Sequence, residues 1–187
     1  TSLGLTTGAV CVYHAYVETA VKALQRSAIP VAAVSTGFPH GLNSLPRRIE
    51  EIRDSLVAGA LEIDIVITRA HVFSGNWQTL YDEVRSFREA CGQAHLKTIL
   101  GTGELGSQRN VAKASLVCMM AGADFIKTST GKIPKAATPA MALCMAEAIR
   151  EYAHQTGRAV GFKAAGGIRT AKQAWHYLCL LYTSPSP

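Results

Sequence analysis

Six short apolar segments, each followed by a helical one, divide this chain almost without interruption, and that alternation restricts the fold more than any other feature. Ala9 to Tyr13 reads as a strand, with a helix from about Val17 to Ser27. Pro30 to Ser35 is the next strand, and Gly37-Phe38-Pro39-His40-Gly41 is its exit loop. Pro46 then opens a helix to about Ala58, since proline suits the first helical turn. Glu62 to Ile67 precedes a helix from Trp77 to Cys91, in which Leu80, Val84 and Phe87 share one face. Leu96 to Leu100 precedes about Asn110 to Met120, and Phe125 to Thr130 precedes about Pro139 to His154. Val160 to Ala164 with about Ala171 to Leu180 makes the sixth unit. Strand and helix units without hairpin signals predict a parallel sheet, either open and doubly wound or closed as a (β/α)8 TIM barrel.

Two details favour the barrel. The first unit lacks the glycine-rich dinucleotide fingerprint of the open fold. Polar residues also alternate along the strands: in Glu62-Ile63-Asp64-Ile65-Val66-Ile67 the isoleucines take one face, and Glu62, Asp64 and Val66 the other. The same period pairs Lys127 with Ser129, and Gly161 with Lys163. Three strands thus aim ionisable groups at a lumen, toward the strand ends where barrel active sites lie.

Eight units require roughly 250 residues. Six units over 187 residues therefore predict a barrel truncated to about six β/α units. Residues 1–180 read as one partial barrel domain, and 181–187, with two prolines after the last helix, as a tail outside it. Open edges at Ala9–Tyr13 and Val160–Ala164 lead us to expect poor solubility or weak cooperativity, and little activity, from these residues expressed alone.

Composition narrows the partner. A 48% hydrophobic content supplies one sizeable core, and 17% charged residues argue against disorder. The net charge is +6, yet no basic run exceeds Arg47-Arg48, so a small anionic substrate fits better than nucleic acid. No apolar run is long enough for a membrane span. Cys11, Cys91, Cys118, Cys144 and Cys179 show neither CxxC nor metal spacing, which points to a reducing, cytoplasmic setting. The histidines show no metal pattern either. No metal site is expected.

The chemistry rests on two lysines in barrel strands, Lys127 and Lys163. A buried lysine is costly unless paired or deprotonated. Two that converge on one cavity should depress each other's pKa. An amine poised near neutrality adds to carbonyls, the opening step of Schiff-base catalysis. Lys127 is the preferred nucleophile, and Lys163 and Asp64 are placed to relay protons. The alternative is a structural Lys127–Asp64 ion pair with Lys163 reaching to the rim. Thr130-Gly131-Lys132 and Ala165-Gly166-Gly167 each follow a strand and precede a helix, where glycine backbone and a helix start suit phosphate. Cys11 is expected to be a buried structural thiol, with a place beside the site as the other option. His40 is expected in a loop role and Glu104 on the rim. Met119, Met120 and Trp175 are expected on helix faces packed against the barrel.

These segments together resemble the deoxyribose-phosphate aldolase family, class I aldolases of the (β/α)8 fold. The resemblance runs from about residue 5 to 178 and is carried by Ala9–Tyr13, Gly37-Phe38-Pro39, Glu62–Ile67, Leu96–Leu105, Asp124–Lys132 and Gly161–Arg169. Its most specific string is Phe125-Ile126-Lys127-Thr128-Ser129-Thr130-Gly131-Lys132. The resemblance implies a Schiff base on Lys127, a proton relay through Lys163 and Asp64, and phosphate at Gly131, Lys132, Gly166 and Gly167. It implies reversible cleavage of 2-deoxy-D-ribose 5-phosphate to D-glyceraldehyde 3-phosphate and acetaldehyde, without metal or organic cofactor, in deoxyribonucleotide catabolism. A homo-oligomer is compatible with it.

The family usually has proline where Ala164 stands and a Val-Asn-Ala-Thr-like run where Pro134-Lys135-Ala136-Ala137-Thr138 stands. Its opening strand, with a substrate-side aspartate, is expected before Thr1, and its phosphate-side last strand after residue 180. The six units then correspond to the second to seventh. Rival readings are a phosphate-binding barrel isomerase or synthase without an imine, and an inactive fragment or interaction protein.

Overall fold

A computed structural model describes residues 6–133 and 137–183. Pro134, Lys135 and Ala136, where the resemblance departs, and the tail from Ser184 lie outside the described residues. Six parallel strands form one sheet in chain order: β1 Val10–Tyr13, β2 Val31–Ser35, β3 Glu62–Val66, β4 His95–Ile99, β5 Phe125–Lys127 and β6 Gly161–Lys163. Among the described residues β1 pairs only with β2 and β6 only with β5, so the sheet is an arc of a barrel wall.

The expected helices are present as α1 Val17–Leu24, α2 Leu45–Val57, α4 Trp77–Cys91, α5 Gln108–Met120, α6 Pro139–Thr156 and α7 Ala171–Thr183. A short helix unforeseen in the sequence, α3 Arg69–Phe73, follows β3, and a 3-10 turn, His14–Tyr16, precedes α1. Pro46 and Pro139 sit in first turns, where a missing N–H costs nothing. Ser107 and Thr138 accept from the backbone N–H groups of Asn110 and Met141, capping α5 and α6. α7 runs past the expected stop at Leu180 to Thr183. β5 ends earlier than expected, at Lys127; beyond it the Thr128 N–H still donates to Lys163 O, and the hydroxyls of Thr128 and Ser129 both bond Ala165 O in the loop after β6.

Period-two alternation divides the sheet as anticipated. Ile63, Ile65, Leu96 and Ile126 are fully buried and pack outward against Leu80, Val84 and Phe87 of α4, Ile52 of α2 and Met119 of α5. Burying each such side chain stabilises the fold by about 1.5–3 kcal/mol. Met120 and Trp175 do not join this layer: both are exposed, a correction to their expected packing. Between α2 and α4 lies a buried ion pair, Arg48 Nη1 to Glu83 Oε1 at 2.6 Å, with the guanidinium over the Phe87 ring. Arg48 also donates to Val66 O and to Thr68 Oγ1, and Glu83 Oε2 accepts from the Thr68 N–H, so the pair clamps the exit of β3.

The opposite face carries Glu62, Asp64, Lys97, Phe125, Lys127 and Lys163. Register brings them into contact: Asp64 is opposite Lys97, Lys97 opposite Phe125, and Lys127 opposite Lys163. Gly161, opposite Phe125, must lack a side chain, since a Cβ there would fall 2.2 Å from the Phe125 ring.

Candidate active site

Asp64 is the hub of this face. It is fully buried, and its Oδ2 accepts from Lys127 Nζ at 2.6 Å and from Lys163 Nζ at 2.7 Å. Lys127 and Lys163 are neighbours on adjacent strands, and the structure brings the three residues singled out in the sequence into contact. Their exposure differs: the Lys127 side chain is 5% exposed and that of Lys163 28%. Lys163 faces the open side of the site.

The two lysines respond in opposite directions. Burial lowers the Lys127 pKa; Asp64 opposes this, the Lys163 charge reinforces it, and the balance falls below the ordinary lysine range. Burial also disfavours the charged form of Lys163, but the charge and hydrogen bond of Asp64, together with the pulls of Cys11 and Glu62, outweigh it and the pKa rises. The expected mutual depression therefore holds for Lys127 and fails for Lys163. The reason is the shared carboxylate, which binds both ammonium groups but cannot offset burial equally. For Asp64 itself, burial would raise the carboxyl; the Lys127, Lys163 and Lys97 charges overcome it and hold the group at about 2. Asp64 is anionic throughout the neutral range.

A third lysine, missed in the sequence, lies deeper. Lys97 is buried, donates to Glu62 Oε2 and stands 3.6 Å from Asp64 Oδ1. Its ammonium is 5.2 Å from the centre of the Phe125 ring. The available signal was Leu96-Lys97-Thr98-Ile99, whose alternation puts Lys97 on the face of Asp64 once the parallel register is set.

Cys11 corrects an expectation. The residue is exposed, not a buried core thiol, and its Sγ points at Asp64 Oδ2 from 3.6 Å. Local desolvation and the Asp64 charge push its pKa up, so the thiol stays protonated beside the lysines. Cys91 and Cys118 are the buried thiols, driven to about 12 chiefly by burial.

The two glycine loops meet at the strand exits. A Cβ on Gly131 would lie 3.7 Å from Gly166 Cα, and Gly131, Gly166 and Gly167 all have positive φ, which favours glycine. The Gly131 N–H donates to Ser129 Oγ and the Lys132 N–H to Thr130 Oγ1, which fixes the first loop. Lys132 extends its ammonium to 5.8 Å from the Tyr13 ring, which meets Phe38 edge-on at 5.5 Å. These two aromatic residues at the mouth were not singled out in the sequence. His40 is exposed in the loop after β2, and Glu104 pairs with Arg69 at 3.5 Å. No group of three or more His, Cys, Asp or Glu among the described residues is placed to hold a metal ion, and no described helix is long and apolar enough to cross a membrane.

A parallel β/α barrel wall that holds a buried lysine, its pKa lowered by burial, beside a carboxylate and a second lysine is an arrangement in which an amine can add to a carbonyl. The family can be stated directly: a model of DeoC/LacD family aldolases matches residues 3–177, and the chain belongs to that family. It is 60% identical over 180 residues to deoxyribose-phosphate aldolase of Mus musculus and 57% identical to that of Homo sapiens. In each case the match takes in 95% of this chain and 57% of the relative, so the chain spans just over half their length. Among solved structures, the aldolase QR15 superposes with a TM-score of 0.83 at 29% identity, covering 96% of this chain and 75% of that one. The tetrameric deoxyribose phosphate aldolase of Aeropyrum pernix gives 0.79 at 25% identity, covering 92% and 69%.

Proposed function

We propose that these residues form the catalytic wall of an aldolase that cleaves 2-deoxy-D-ribose 5-phosphate reversibly to D-glyceraldehyde 3-phosphate and acetaldehyde. The observation that carries the reading is the sharing of Asp64 Oδ2 by Lys127 and Lys163, which leaves the more buried amine the easier to deprotonate. The names of the Mus musculus and Homo sapiens relatives support the substrate.

The neutral Lys127 amine adds to the C1 aldehyde of the open-chain sugar, and loss of water from the carbinolamine gives the iminium. Lys163, left neutral by giving its proton to the departing water, takes the C3 hydroxyl proton as the C2–C3 bond breaks and its electrons pass into the enamine. D-Glyceraldehyde 3-phosphate leaves. Protonation at C2 and hydrolysis then release acetaldehyde and restore the amine. Lys163, with its raised pKa and partial exposure, is the proton donor for dehydration and for C2. Asp64 stays ionised and holds that ammonium at 2.7 Å. Gly131, Lys132, Gly166 and Gly167 receive the phosphate, with Lys132 supplying the charge. Cys11 borders the site without a covalent role.

We place the residues to 180 in a single barrel domain. A cytoplasmic, homo-oligomeric enzyme that binds neither nucleic acid nor membrane fits this reading, and the tetrameric neighbour supports the assembly. The test is to trap the imine in the full-length protein with acetaldehyde and borohydride, then map the adduct by mass spectrometry. The proposal expects a reduced two-carbon adduct on the peptide containing Lys127. An adduct on Lys163 or Lys97 alone would move the nucleophile, and no adduct with intact turnover would favour an isomerase or synthase.

A further inference from the structure

Glu62 has no part in the chemistry above, yet it is buried on the same face as Asp64, two residues along β3. Together the two carboxylates face three ammonium groups, those of Lys97, Lys127 and Lys163. Lys97 lies between them and bonds only one: it donates to Glu62 Oε2, while Asp64 Oδ1 is 3.6 Å from its Nζ. Asp64 Oδ1 has no hydrogen-bond partner among the described residues, whereas Oδ2 carries both Lys127 and Lys163. Glu62 is itself fixed on its other oxygen, Oε1, by His95 Nδ1 at 3.3 Å. The Phe125 ring limits the Lys97 ammonium on one side.

We propose that Glu62 is a positioning residue: by holding Lys97 it keeps that cation from closing on Asp64 Oδ1, so the Asp64 charge stays divided between Lys127 and Lys163. This inference rests on the aldolase reading above. The distance involved is small. Lys97 needs to move less than an ångström to come within about 2.8 Å of Oδ1, the usual length of a charge-assisted bond. With the Glu62 charge gone, the Lys97 charge is uncompensated and Asp64 is shared among three cations. Both changes lower the Lys127 pKa further, and both weaken the hold on the Lys163 proton. His95, Cys11 and Phe125 are the other groups that face this cluster.

The experiment compares four forms of the full-length protein: wild type, Glu62→Gln, Lys97→Met and the double variant. The pH dependence of Lys127 acetylation is read by mass spectrometry, alongside kcat and KM for the phosphorylated sugar. Glu62→Gln should move the Lys127 labelling midpoint down by about one pH unit. It should also lower kcat about 10-fold with KM changed less than about threefold. In the Lys97→Met background the same substitution should leave the Lys127 midpoint in place. An unmoved midpoint in Glu62→Gln, or an equal shift with Lys97 already removed, overturns the proposal. A purely structural role would lower the melting temperature and leave the midpoint in place. If Glu62→Gln does not fold, Glu62→Met/Lys97→Met is compared with Lys97→Met, since replacing a whole buried pair is often tolerated. Equal midpoints support the proposal, and a difference overturns it. If wild type forms no imine at Lys127, the aldolase reading fails separately, and the labelling comparison still decides what Glu62 does.

Discussion

Two buried charge clusters lie close together at β3, and they do opposite work. On the helix side, Arg48 and Glu83 match one charge with one charge, and both Glu83 oxygens are bonded. On the lumen side, Asp64 and Glu62 face three lysines, and Asp64 carries two of them on one oxygen. The first cluster ties α2 and α4 to the exit of β3. The second holds one cation too many in a water-poor place, and a cation in excess is where a proton comes off most easily. Balance makes a clamp; on the proposed reading, imbalance makes a nucleophile.

The contrast breaks most visibly if turnover is lost without loss of folding. Asp64→Asn should cut kcat about 10²–10⁴-fold, the usual range for groups that hold or move protons, and should change KM far less. Steady-state kinetics beside a melting curve checks both halves. If Asp64→Asn unfolds the protein and Arg48→Met does not, the two clusters have been assigned the wrong way round.

Arg48→Met probes the other cluster. It strands the Glu83 carboxylate in the core and should cost about 3–5 kcal/mol of stability, measured by urea unfolding. Activity per folded molecule should remain. Lys132→Ala should raise KM for the phosphorylated sugar about 10- to 100-fold, the worth of one charged hydrogen bond, and leave the unphosphorylated sugar unchanged. Equal losses for both sugars would remove Lys132 from the phosphate site. Gly161→Ala should cost about 1–3 kcal/mol of stability, because the Phe125 ring must shift away from the new methyl group.

How far the sequence carried these assignments depended on how each residue stands among its neighbours. Asp64, Lys127 and Lys163 were legible because each interrupts an apolar strand, where a charge has no cheap explanation. Lys97 was not, since His95-Leu96-Lys97-Thr98 mixes polar and apolar residues and reads as a half-exposed strand start. Arg48 and Glu83 sit on amphipathic helices whose charges ordinarily face water, so nothing local marks them as buried partners. The five residues of α3 fall below the length at which helical periodicity shows. Cys11 was expected buried because an apolar strand suggests burial on both faces; β1 is at the edge of the described sheet, and the thiol takes the other option, a place beside the site. The two lysines were expected to act alike because sequence shows their charges but not the oxygen they share.

The central claim is that this shared carboxylate makes Lys127 the poised amine. Its direct test is the pH midpoint of Lys127 acetylation in wild type, Asp64→Asn and Lys163→Met. Only the neutral amine reacts, so labelling rises as pH passes the lysine's pKa. In wild type the midpoint should lie below the ordinary value of about 10.4. Removing the attraction of Asp64 should move it lower still, and removing the repulsion of Lys163 should move it higher. An ordinary midpoint in wild type, or one that both substitutions move the same way, would contradict the account.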